Sequence, residues 1–534
     1  MMRYPLLLRS ILERARKLFP AKEIVSRDFS GLFRYDYGRF YERVCRLANV
    51  LKELGVEPGD RVATLAWNNH RHLELYFALP CMGAVVHTVN LRLFKEQIIF
   101  ILNHAEDRVI FIDEDLVPVI EEIREQVQGL KHFVIMTDKD GPPPTSLSPA
   151  YSYEQLLAGA SPDYRFPADL DEWSPASMCY TTATTGDPKG VMYSHRALYL
   201  HSLMIGMTDT FGLCEQDAAM PVVPMFHVNA WGIPYGAALV GAKLVLPGAR
   251  PDARVLCELI QNEKVSVAAG VPTIWMGCLN LLEKENYDFS SLSRLLVGGA
   301  SSPRALIEAY EKKHGIPFIV AYGMTETTPL TLLSRPKSYM RDWPEERVYA
   351  LKVKQGLFAP GLEMRVTGED GTDVLWDGCT MGELLFRGPW ITGEYYRDPQ
   401  RSKEALRGGW FRTADIATVD AEGYVNICDR SKDLIKSGGE WISSVELENT
   451  IMGHPAVAEA AVVALPHEKW QERPLACVVI REEFKGRVKP EDILEYLRSR
   501  VAKWWLPDRV EFIDEVPKTS VGKFDKKVLR RRFS

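Results

Sequence analysis

Short apolar runs alternate along this chain with stretches of helical periodicity, and this alternation restricts the fold more than any other feature. The runs occupy residues 61–67, 109–113 and 133–137. Residues 40–54 place apolar side chains at helical spacing, and Gly55 follows as a stop signal. Strand-like runs separated by helices are typical of parallel sheets. The pattern therefore predicts an α/β architecture with largely parallel sheets.

Length, charge and cysteine content exclude several classes of protein. A chain of 534 residues is too long for one hydrophobic core and should form at least two domains. Its 65 basic and 71 acidic residues give a net charge of −6, which predicts no nucleic-acid partner. The nine cysteines are scattered and odd in number, without a Cys-x-x-Cys pair. They indicate reduced thiols in a cytoplasmic protein rather than disulfides or a zinc site.

No segment of the sequence has the character of a membrane span. The longest apolar run, residues 75–86, is broken by Pro80 and Gly83, and Arg9 interrupts the apolar patch near the N-terminus. We therefore expect at most peripheral membrane contact.

The sharpest candidate for chemistry is the segment 180–191, which reads Tyr-Thr-Thr-Ala-Thr-Thr-Gly-Asp-Pro-Lys-Gly-Val. Its backbone N–H groups and hydroxyls suit phosphate oxygens, with Lys189 as a mobile counter-charge. The spacing differs from a Walker A loop, because Lys189 lies three residues past Gly186. The alternative is a plain surface turn.

A second candidate lies where apolar runs end in glycine or polar residues. Residues 295–300 and 317–321 are such runs, and ligands bind α/β sheets at strand ends of this kind. The second run continues into Tyr322-Gly-Met-Thr-Glu-Thr. This sequence suits a purine stacked on Tyr322, with Glu326 near a Mg²⁺ ion that carries phosphate oxygens. A turn with a capping box is the alternative.

A pair of glycines suggests an apolar slot. If residues 232–238 are helical, Gly232 and Gly236 share a face, and the missing side chains leave room for an alkyl chain. Close helix packing explains the same two glycines equally well.

The ordered motifs resemble those of the adenylate-forming superfamily, which includes acyl-CoA synthetases, firefly luciferases and the adenylation domains of peptide synthetases. They lie at 180–191, 322–327, 382–384, 409–416, 429–443 and 517–523. The segments 224–231 and 436–444 look most like bacterial and archaeal fatty acyl-CoA ligases. The N-terminal third is compatible but carries no sharp motif.

The resemblance implies a fold, a reaction and its co-substrates. The fold is α/β, with a large multi-sheet N-terminal domain at 1–429 and a small mobile α+β domain at 430–534, hinged near Lys432. A carboxylate attacks the α-phosphorus of ATP to give an acyl-adenylate and pyrophosphate. Coenzyme A then takes the acyl group and AMP leaves. Mg²⁺ is the expected cofactor, and a homodimer is expected from similar ligases.

The resemblance also assigns residues to the phosphates and the metal. Thr181, Thr184, Thr185 and Lys189 would hold the β- and γ-phosphates, and Thr181 and Glu326 would hold Mg²⁺ and act in catalysis.

The resemblance assigns the adenosine part of ATP and its α-phosphate to residues of the later motifs. Tyr322 would stack on adenine and Thr325 would contact the α-phosphate. Asp415 would accept from both ribose hydroxyls, with a further contact from Arg430. Small residues would line the rest of this pocket, namely Gly299, Val320 and Ala321.

The C-terminal motifs imply a moving lysine. Lys523 would bring its ammonium to the α-phosphate and carboxylate and stabilise the charge that develops in adenylation. Lys432 matches the hinge position. Lys436 and Trp441 follow it in the loop that would face the nucleotide.

The acyl chain would enter past Trp231, which resembles the gate residue of a fatty-acyl tunnel. Val228 would line the tunnel mouth. The predicted acyl pocket and gate comprise His227, Val228, Trp231, Gly232 and Gly236.

Two departures from the family pattern leave other functions open. Alanine replaces the usual glycine at Ala183 and Ala414, which adds strain if either position needs positive φ. A decayed, non-catalytic binder of nucleotide or acyl-adenylate is therefore one alternative. Another is a CoA ligase for aryl or short-chain acids. A peptide-synthetase module is disfavoured, because no carrier segment fits after Lys523.

Overall fold

The computed structural model describes residues 1–181, 187–438, 440–518 and 524–533. The chain divides into two compact units. The first comprises Met1–Glu363 and Arg387–Leu406, and the second comprises Met364–Phe386 and Arg407–Ser534. The predicted boundary at 429/430 stays a prediction, because a division by contacts in one conformation does not locate a pivot.

The described part of the first unit contains sixteen strands. They are β1 (Glu23–Arg27), β2 (Leu32–Asp36), β3 (Arg61–Leu65), β4 (Val85–Thr88), β5 (Val109–Asp113), β6 (His132–Met136), β7 (Ala150–Ser152), β8 (Pro175–Tyr180), β9 (Gly190–Ser194), β10 (Ala218–Pro221), β11 (Lys243–Leu246), β12 (Val267–Gly270), β13 (Arg294–Gly298), β14 (Phe318–Gly323), β15 (Leu330–Leu333) and β16 (Leu357–Phe358).

Thirteen α-helices accompany these strands within the described residues. They are α1 (Leu8–Leu18), α2 (Tyr37–Glu53), α3 (His70–Met82), α4 (Lys95–Ala105), α5 (Val117–Ile123), α6 (Tyr153–Gly159), α7 (His195–Ile205), α8 (Ile233–Val240), α9 (Ala253–Glu263), α10 (Pro272–Leu282), α11 (Arg304–Glu308), α12 (Glu345–Lys352) and α13 (Pro399–Ala405).

Two sheets organise the first unit, and both are largely parallel, as predicted. The seven-stranded sheet has the order β7-β6-β5-β3-β4-β8-β9, and β9 is its one antiparallel strand among the described residues. The nine-stranded sheet has the order β16-β15-β14-β13-β12-β10-β11-β1-β2. Its six strands from β14 to β1 are parallel, and antiparallel strands complete both edges. Strands buried on both faces need continuous apolar runs, which is the pattern that the sequence shows.

The predicted elements of the first unit are close to those found. The run at 109–113 is β5, the run at 61–67 is β3 without its last two residues, and the run at 133–137 is β6 shifted by one residue. The helix predicted at 40–54 begins earlier, at Tyr37, because Asp36 caps it by accepting from the Arg39 amide.

The described part of the second unit contains ten strands and three helices. They are β17 (Glu363–Thr367), β18 (Gly382–Arg387), β19 (Leu406–Arg407), β20 (Trp410–Val419), β21 (Val425–Arg430), β22 (Ile435–Ser437), β23 (Glu440–Ile442), β24 (Val457–His467), β25 (Gln471–Ile480), β26 (Arg509–Phe512), α14 (Ser444–Met452), α15 (Pro490–Arg498) and α16 (Lys526–Phe533).

These strands form two five-stranded sheets. One has the order β17-β18-β20-β19, with β21 also on β20, and the other has the order β23-β22-β25-β24, with β26 also on β25. Helix α14 follows its N-cap Ser443, which accepts from the Glu446 amide. The apolar runs at 457–465 and 475–480 lie within β24 and β25. The fold prediction of a large multi-sheet α/β part and a smaller α+β part is confirmed.

Within the described parts of the chain, no helix combines the length and the apolar character that crossing a bilayer requires.

Candidate active site

The Thr- and Gly-rich segment connects β8 to β9, the antiparallel pair of strands at one edge of the seven-stranded sheet. Two hydrogen bonds close its base: the Thr181 amide donates to the Lys189 carbonyl at 2.9 Å, and the Lys189 amide donates to Oγ1 of Thr181 at 3.0 Å. Thr184 and Thr185 lie outside the described residues, as does Ala183. The two described ends of the loop are therefore held in register by Thr181, one of the predicted phosphate and metal residues.

Lys189 and Glu326 meet, although 137 positions separate them in sequence. The Lys189 Nζ lies 3.6 Å from Oε1 of Glu326, whose residue is only 4% exposed. The hydroxyl of Tyr395 contacts both groups, 2.9 Å from Nζ of Lys189 and 2.8 Å from Oε1 of Glu326. The structure thus brings together the cation predicted for phosphate and the carboxylate predicted for Mg²⁺.

Thr325 and Glu326 lie in a single 3-10 turn, Thr325–Thr327, that follows β14. Both residues are buried. The hydroxyl of Tyr193, on β9, donates to the Thr325 carbonyl at 2.7 Å. The turn is therefore tied to the strand that leaves the phosphate-loop segment.

The predicted adenine residues lie at the carboxyl ends of β13 and β14, which pair in parallel with Gly298 opposite Ala321. A Cβ atom at Gly298 would lie 2.4 Å from the Ala321 carbonyl oxygen and 3.2 Å from Cη2 of Trp231. The indole of Trp231 therefore lies against the end of β13, beside the predicted adenine pocket. Gly299 follows with φ 82° and is exposed.

The side chains of Tyr322 and Val320 have different surroundings. The Tyr322 ring is half-buried, and its hydroxyl lies 3.9 Å from Sδ of Met324. The Val320 side chain belongs to the hydrophobic core of the nine-stranded sheet. Any role of Val320 in the nucleotide pocket would therefore fall to its backbone.

The predicted gate segment forms a left-handed turn. Val228, Asn229, Ala230, Trp231 and Gly232 all have positive φ, between 46° and 73°. This region costs an L-residue about 1–2 kcal/mol, and a β-branched residue such as Val228 enters it rarely. The surroundings must therefore hold the turn in place.

Asn229 supplies such an anchor. It is buried, its Nδ2 donates to Oγ of Ser177 at 2.9 Å, and its Oδ1 accepts from Sγ of Cys179 at 3.3 Å. Burial raises the pKa of the Cys179 thiol, so the thiol stays protonated and can donate. Both partners are on β8, so the turn that carries Trp231 is fixed to the strand that leads into the phosphate loop.

The predicted alkyl slot at Gly232 and Gly236 is wrong. Gly232 precedes α8 rather than lying within it, so the two glycines do not share a helical face. A Cβ atom at Gly236 would lie 2.5 Å from Cδ1 of Ile205, and one at Gly232 would lie 2.6 Å from Nδ1 of His201. The chain's own side chains occupy both spaces, so close packing explains both glycines. Val228 and His227 stay predicted parts of the acyl entrance.

In the second unit, Asp415 and Arg430 face each other across β20 and β21. The Asp415 carboxylate is buried, and its Oδ1 lies 2.7 Å from Nε of Arg430. A carboxylate that pairs with a guanidinium has further lone pairs, which can accept hydrogen bonds from hydroxyls. This chemistry suits the predicted ribose contact. Ala414 has φ 59°, so the replacement for the family's glycine is in the left-handed region.

The residues predicted around the hinge belong to the second unit. Lys436 and Trp441 are paired across the hairpin of β22 and β23, with Nζ of Lys436 5.9 Å from the centre of the Trp441 ring. Lys436 also pairs with Glu369, at 2.9 Å. The Lys432 carbonyl accepts from Nη2 of Arg530 at 3.2 Å. Lys523 lies outside the described residues, and its role stays a prediction.

Sequence reasoning missed Tyr395 and Asn229. Tyr395 follows the phosphate-loop lysine by 206 positions in a segment without a distinctive motif, and only the fold brings the two together. Asn229 was inside a motif, but no sequence pattern shows that its amide anchors a left-handed turn.

A surface cleft of about 690 Å³ lies away from these residues. It is lined by residues 18–23, 215–218, 243 and 262–264. Its charged groups pair among themselves, for example Lys22 with Glu215 and Lys243 with Glu263. No predicted site residue contributes to it, so volume alone does not identify the site.

Comparison with known proteins identifies the family of the chain. Residues 12–396 match the AMP-binding enzyme family, and residues 446–523 match the AMP-binding enzyme C-terminal domain. The chain is 50% identical over 525 residues to a long-chain-fatty-acid–CoA ligase of Thermus thermophilus, covering 98% of this chain and 94% of the relative. It is 43% identical to a 3-methylmercaptopropionyl-CoA ligase of Ruegeria lacuscaerulensis, covering 100% and 98%. Among solved structures, an anthranilate CoA ligase in complex with anthranoyl-AMP is similar with a TM-score of 0.86, 25% identity, and coverage of 99% and 98%.

Proposed function

This chain belongs to the AMP-binding enzymes, and on that premise we propose that it is an ATP-dependent fatty acyl-CoA ligase. The arrangement of Lys189, Tyr395 and Glu326 beside the base of the phosphate loop carries the proposal. A buried carboxylate and a lysine held together at a hydroxyl-rich loop suit a metal–triphosphate, whose charge needs both a cation and a metal ligand. The 50% identity to a long-chain-fatty-acid–CoA ligase supports the choice of acid.

In the first half-reaction a carboxylate oxygen bonds to the α-phosphorus of ATP, and the bond to the pyrophosphate oxygen breaks. This displacement needs positioning and charge neutralisation more than acid–base chemistry. Lys189 and the hydroxyls of Thr181, Thr184 and Thr185 would hold the β- and γ-phosphates. Lys523 would neutralise the charge that develops between carboxylate and α-phosphate.

The residues present fit Mg²⁺. Glu326 offers a buried carboxylate and Thr181 a hydroxyl, and Mg²⁺ takes oxygen ligands of these kinds. A bound Mg²⁺ would neutralise the phosphate oxygens of ATP, and Glu326 and Thr181 are the residues that would hold it.

In the second half-reaction the sulfur of coenzyme A bonds to the acyl carbon, AMP leaves with the electron pair, and the thiol proton is released. Asp415 and Arg430 would keep the ribose in place through both steps. We propose that the C-terminal part pivots near Lys432 between the steps, which would remove Lys523 from the nucleotide and admit the thiol.

The segment that carries Trp231 would determine which chain lengths of fatty acid the protein accepts. Its indole lies against the end of β13, beside the predicted adenine pocket. We propose that Trp231 closes the acyl entrance. Replacing Trp231 with alanine should change fatty-acid chain-length preference and leave ATP affinity within about twofold. A loss of ATP affinity that exceeds the change in preference would instead assign Trp231 to the fold.

A ligase for short-chain acids is the second candidate, and the 43% identity to a 3-methylmercaptopropionyl-CoA ligase favours it. A panel of saturated fatty acids, 3-methylmercaptopropionate and aryl acids separates the candidates by kcat/KM. We expect the highest value for a fatty acid of medium or long chain. A maximum at the short thioether acid or at an aryl acid would replace the proposed substrate and leave the reaction class intact.

The cytoplasm is the proposed location, since the scattered unpaired cysteines fit a reducing compartment. A homodimer is proposed from the resemblance to similar ligases, and sedimentation analysis of the purified protein would test it.

A further inference from the structure

Tyr395 contacts the two charged groups that the proposed function assigns to the phosphates of ATP and to Mg²⁺. The residue is 4% exposed, and its hydroxyl contacts Nζ of Lys189 at 2.9 Å and Oε1 of Glu326 at 2.8 Å. The Lys189 ammonium also lies 4.2 Å from the centre of the tyrosine ring. We propose that Tyr395 is a positioning residue of the adenylation step, an inference that rests on the proposed function.

The chemistry of a phenol explains why a tyrosine suits this place. A hydroxyl has one hydrogen to donate and lone pairs to accept, whereas an ammonium only donates and a carboxylate only accepts. The Tyr395 hydroxyl can therefore donate to Glu326 and accept from Lys189 at the same time. Both hydrogen bonds involve a charged partner, which makes them stronger than neutral ones. One oxygen atom thus orients both charges.

The ion pair that Tyr395 contacts is longer than a direct hydrogen bond. A direct lysine–carboxylate hydrogen bond has a length of about 2.7–2.9 Å, whereas Nζ of Lys189 and Oε1 of Glu326 are 3.6 Å apart. A closed ion pair in a largely buried site is hard to open, because each charge would lose its partner in a medium of low dielectric. Because Tyr395 donates to Glu326, Lys189 can turn to a phosphate while Glu326 keeps a hydrogen-bond donor.

The backbone around Tyr395 is attached to both parts of the site. The Thr392 amide donates to the Glu326 carbonyl at 2.8 Å, and the Tyr396 amide donates to the Gly190 carbonyl at 2.8 Å. These bonds connect the segment to the turn after β14 and to the strand after the phosphate loop. This attachment agrees with the grouping of Arg387–Leu406 with the first unit, although the flanking chain belongs to the second.

The variant Tyr395→Phe tests the proposal, because it removes the hydroxyl and keeps the ring that packs beside Lys189. We expect its Kd for Mg²⁺-ATP, measured by isothermal titration calorimetry, to rise about tenfold, as expected when one charge-assisted hydrogen bond is lost. The Kd for AMP should stay within about twofold of wild type, because AMP lacks the β- and γ-phosphates. Pyrophosphate release should slow, and thioester formation from a preformed acyl-adenylate should not.

The neighbouring residue provides a matched control. Tyr396 is half-buried, and its ring packs against His104 with 5.4 Å between ring centres. The variant Tyr396→Phe should keep wild-type affinity for Mg²⁺-ATP. A thermal melt of both variants shows whether either change affects the fold.

Each contrary result has a definite meaning. Unchanged Mg²⁺-ATP affinity in Tyr395→Phe overturns the proposal, as does an equal loss for ATP and AMP, which would indicate a purely structural role. In a double-mutant cycle with Lys189→Met, we expect the Tyr395→Phe loss to shrink, whereas additive losses would contradict the coupling. A wild-type protein that does not bind Mg²⁺-ATP would overturn the proposed function itself, so the two failures are distinguishable.

Discussion

Ala414 provides the sharpest test of the claim that positive φ strains this chain, because it is an exposed alanine in the left-handed region. Its φ is 59°, and its carbonyl accepts from the Ser431 amide at 2.9 Å, which helps to hold this conformation. The side chain is exposed, so its methyl group contributes little packing. The substitution Ala414→Gly should therefore remove strain at little cost in contacts.

Two opposing terms determine how much Ala414→Gly raises the free energy of unfolding. Left-handed backbone costs an L-residue about 1–2 kcal/mol. Glycine adds about 0.4–1 kcal/mol of unfolded-state entropy that folding must overcome. The net gain in the free energy of unfolding is about 0.8 kcal/mol, which raises Tm by about 2–3 °C in a domain of 150–250 residues.

A control substitution isolates the strain. Ala421 is equally exposed and lies in a turn of the same unit without positive φ. The substitution Ala421→Gly should lose about 0.4–1 kcal/mol, because it has the entropy term without the relief. The difference between the two variants should be about 1–2 kcal/mol, which is the strain itself.

Scanning calorimetry and urea denaturation of both variants measure this difference. Ala414→Gly should melt above wild type and Ala421→Gly below it. Equal destabilisation of the two variants would refute the reasoning, since it would mean that Ala414 carries no strain in solution.

Three further predictions concern packing, pH and catalysis. Gly236→Ala should cost about 1–3 kcal/mol of unfolding free energy by overpacking against Ile205, and Ile205→Val should restore part of it; a shortened chain-length preference without destabilisation would instead favour an alkyl slot. Burial lowers the pKa of His201 to about 3, so its contribution to stability is present above its unfolded pKa near 6.5 and is lost as pH falls towards 3. At pH 5 the free energy of unfolding should be about 2 kcal/mol lower than at neutral pH because of this group. Urea titrations should show a smaller loss in His201→Gln than in wild type. An equal loss in both proteins would assign the pH dependence to other groups. Lys523→Ala should abolish most pyrophosphate release yet spare thioester formation from a preformed acyl-adenylate, and equal loss in both half-reactions would contradict its role.

The order of strands and helices was predictable because parallel strands need continuous apolar runs. The run at 109–113 matches β5 residue for residue, and Ser194 caps α7 by accepting from the Ala197 amide. Periodicity and capping act within a few residues, so sequence alone reports them.

The sequence-based predictions failed where contacts between distant parts of the chain determine the structure. Gly232 and Gly236 suggested a slot, but Ile205 and His201 come from another helix and fill the space. No local sequence pattern predicts which side chains of another helix pack against a glycine. Tyr395 was missed for the same reason, since its partners are 206 and 69 positions away.

The central claim is that this site joins a fatty acid to coenzyme A at the expense of ATP. The most direct test is release of AMP and pyrophosphate from Mg²⁺-ATP by the purified protein, across a series of saturated fatty acids, with and without coenzyme A. We predict release that rises with coenzyme A and peaks at one chain length. Binding of ATP without any release across the series would contradict the claim and favour a non-catalytic binder.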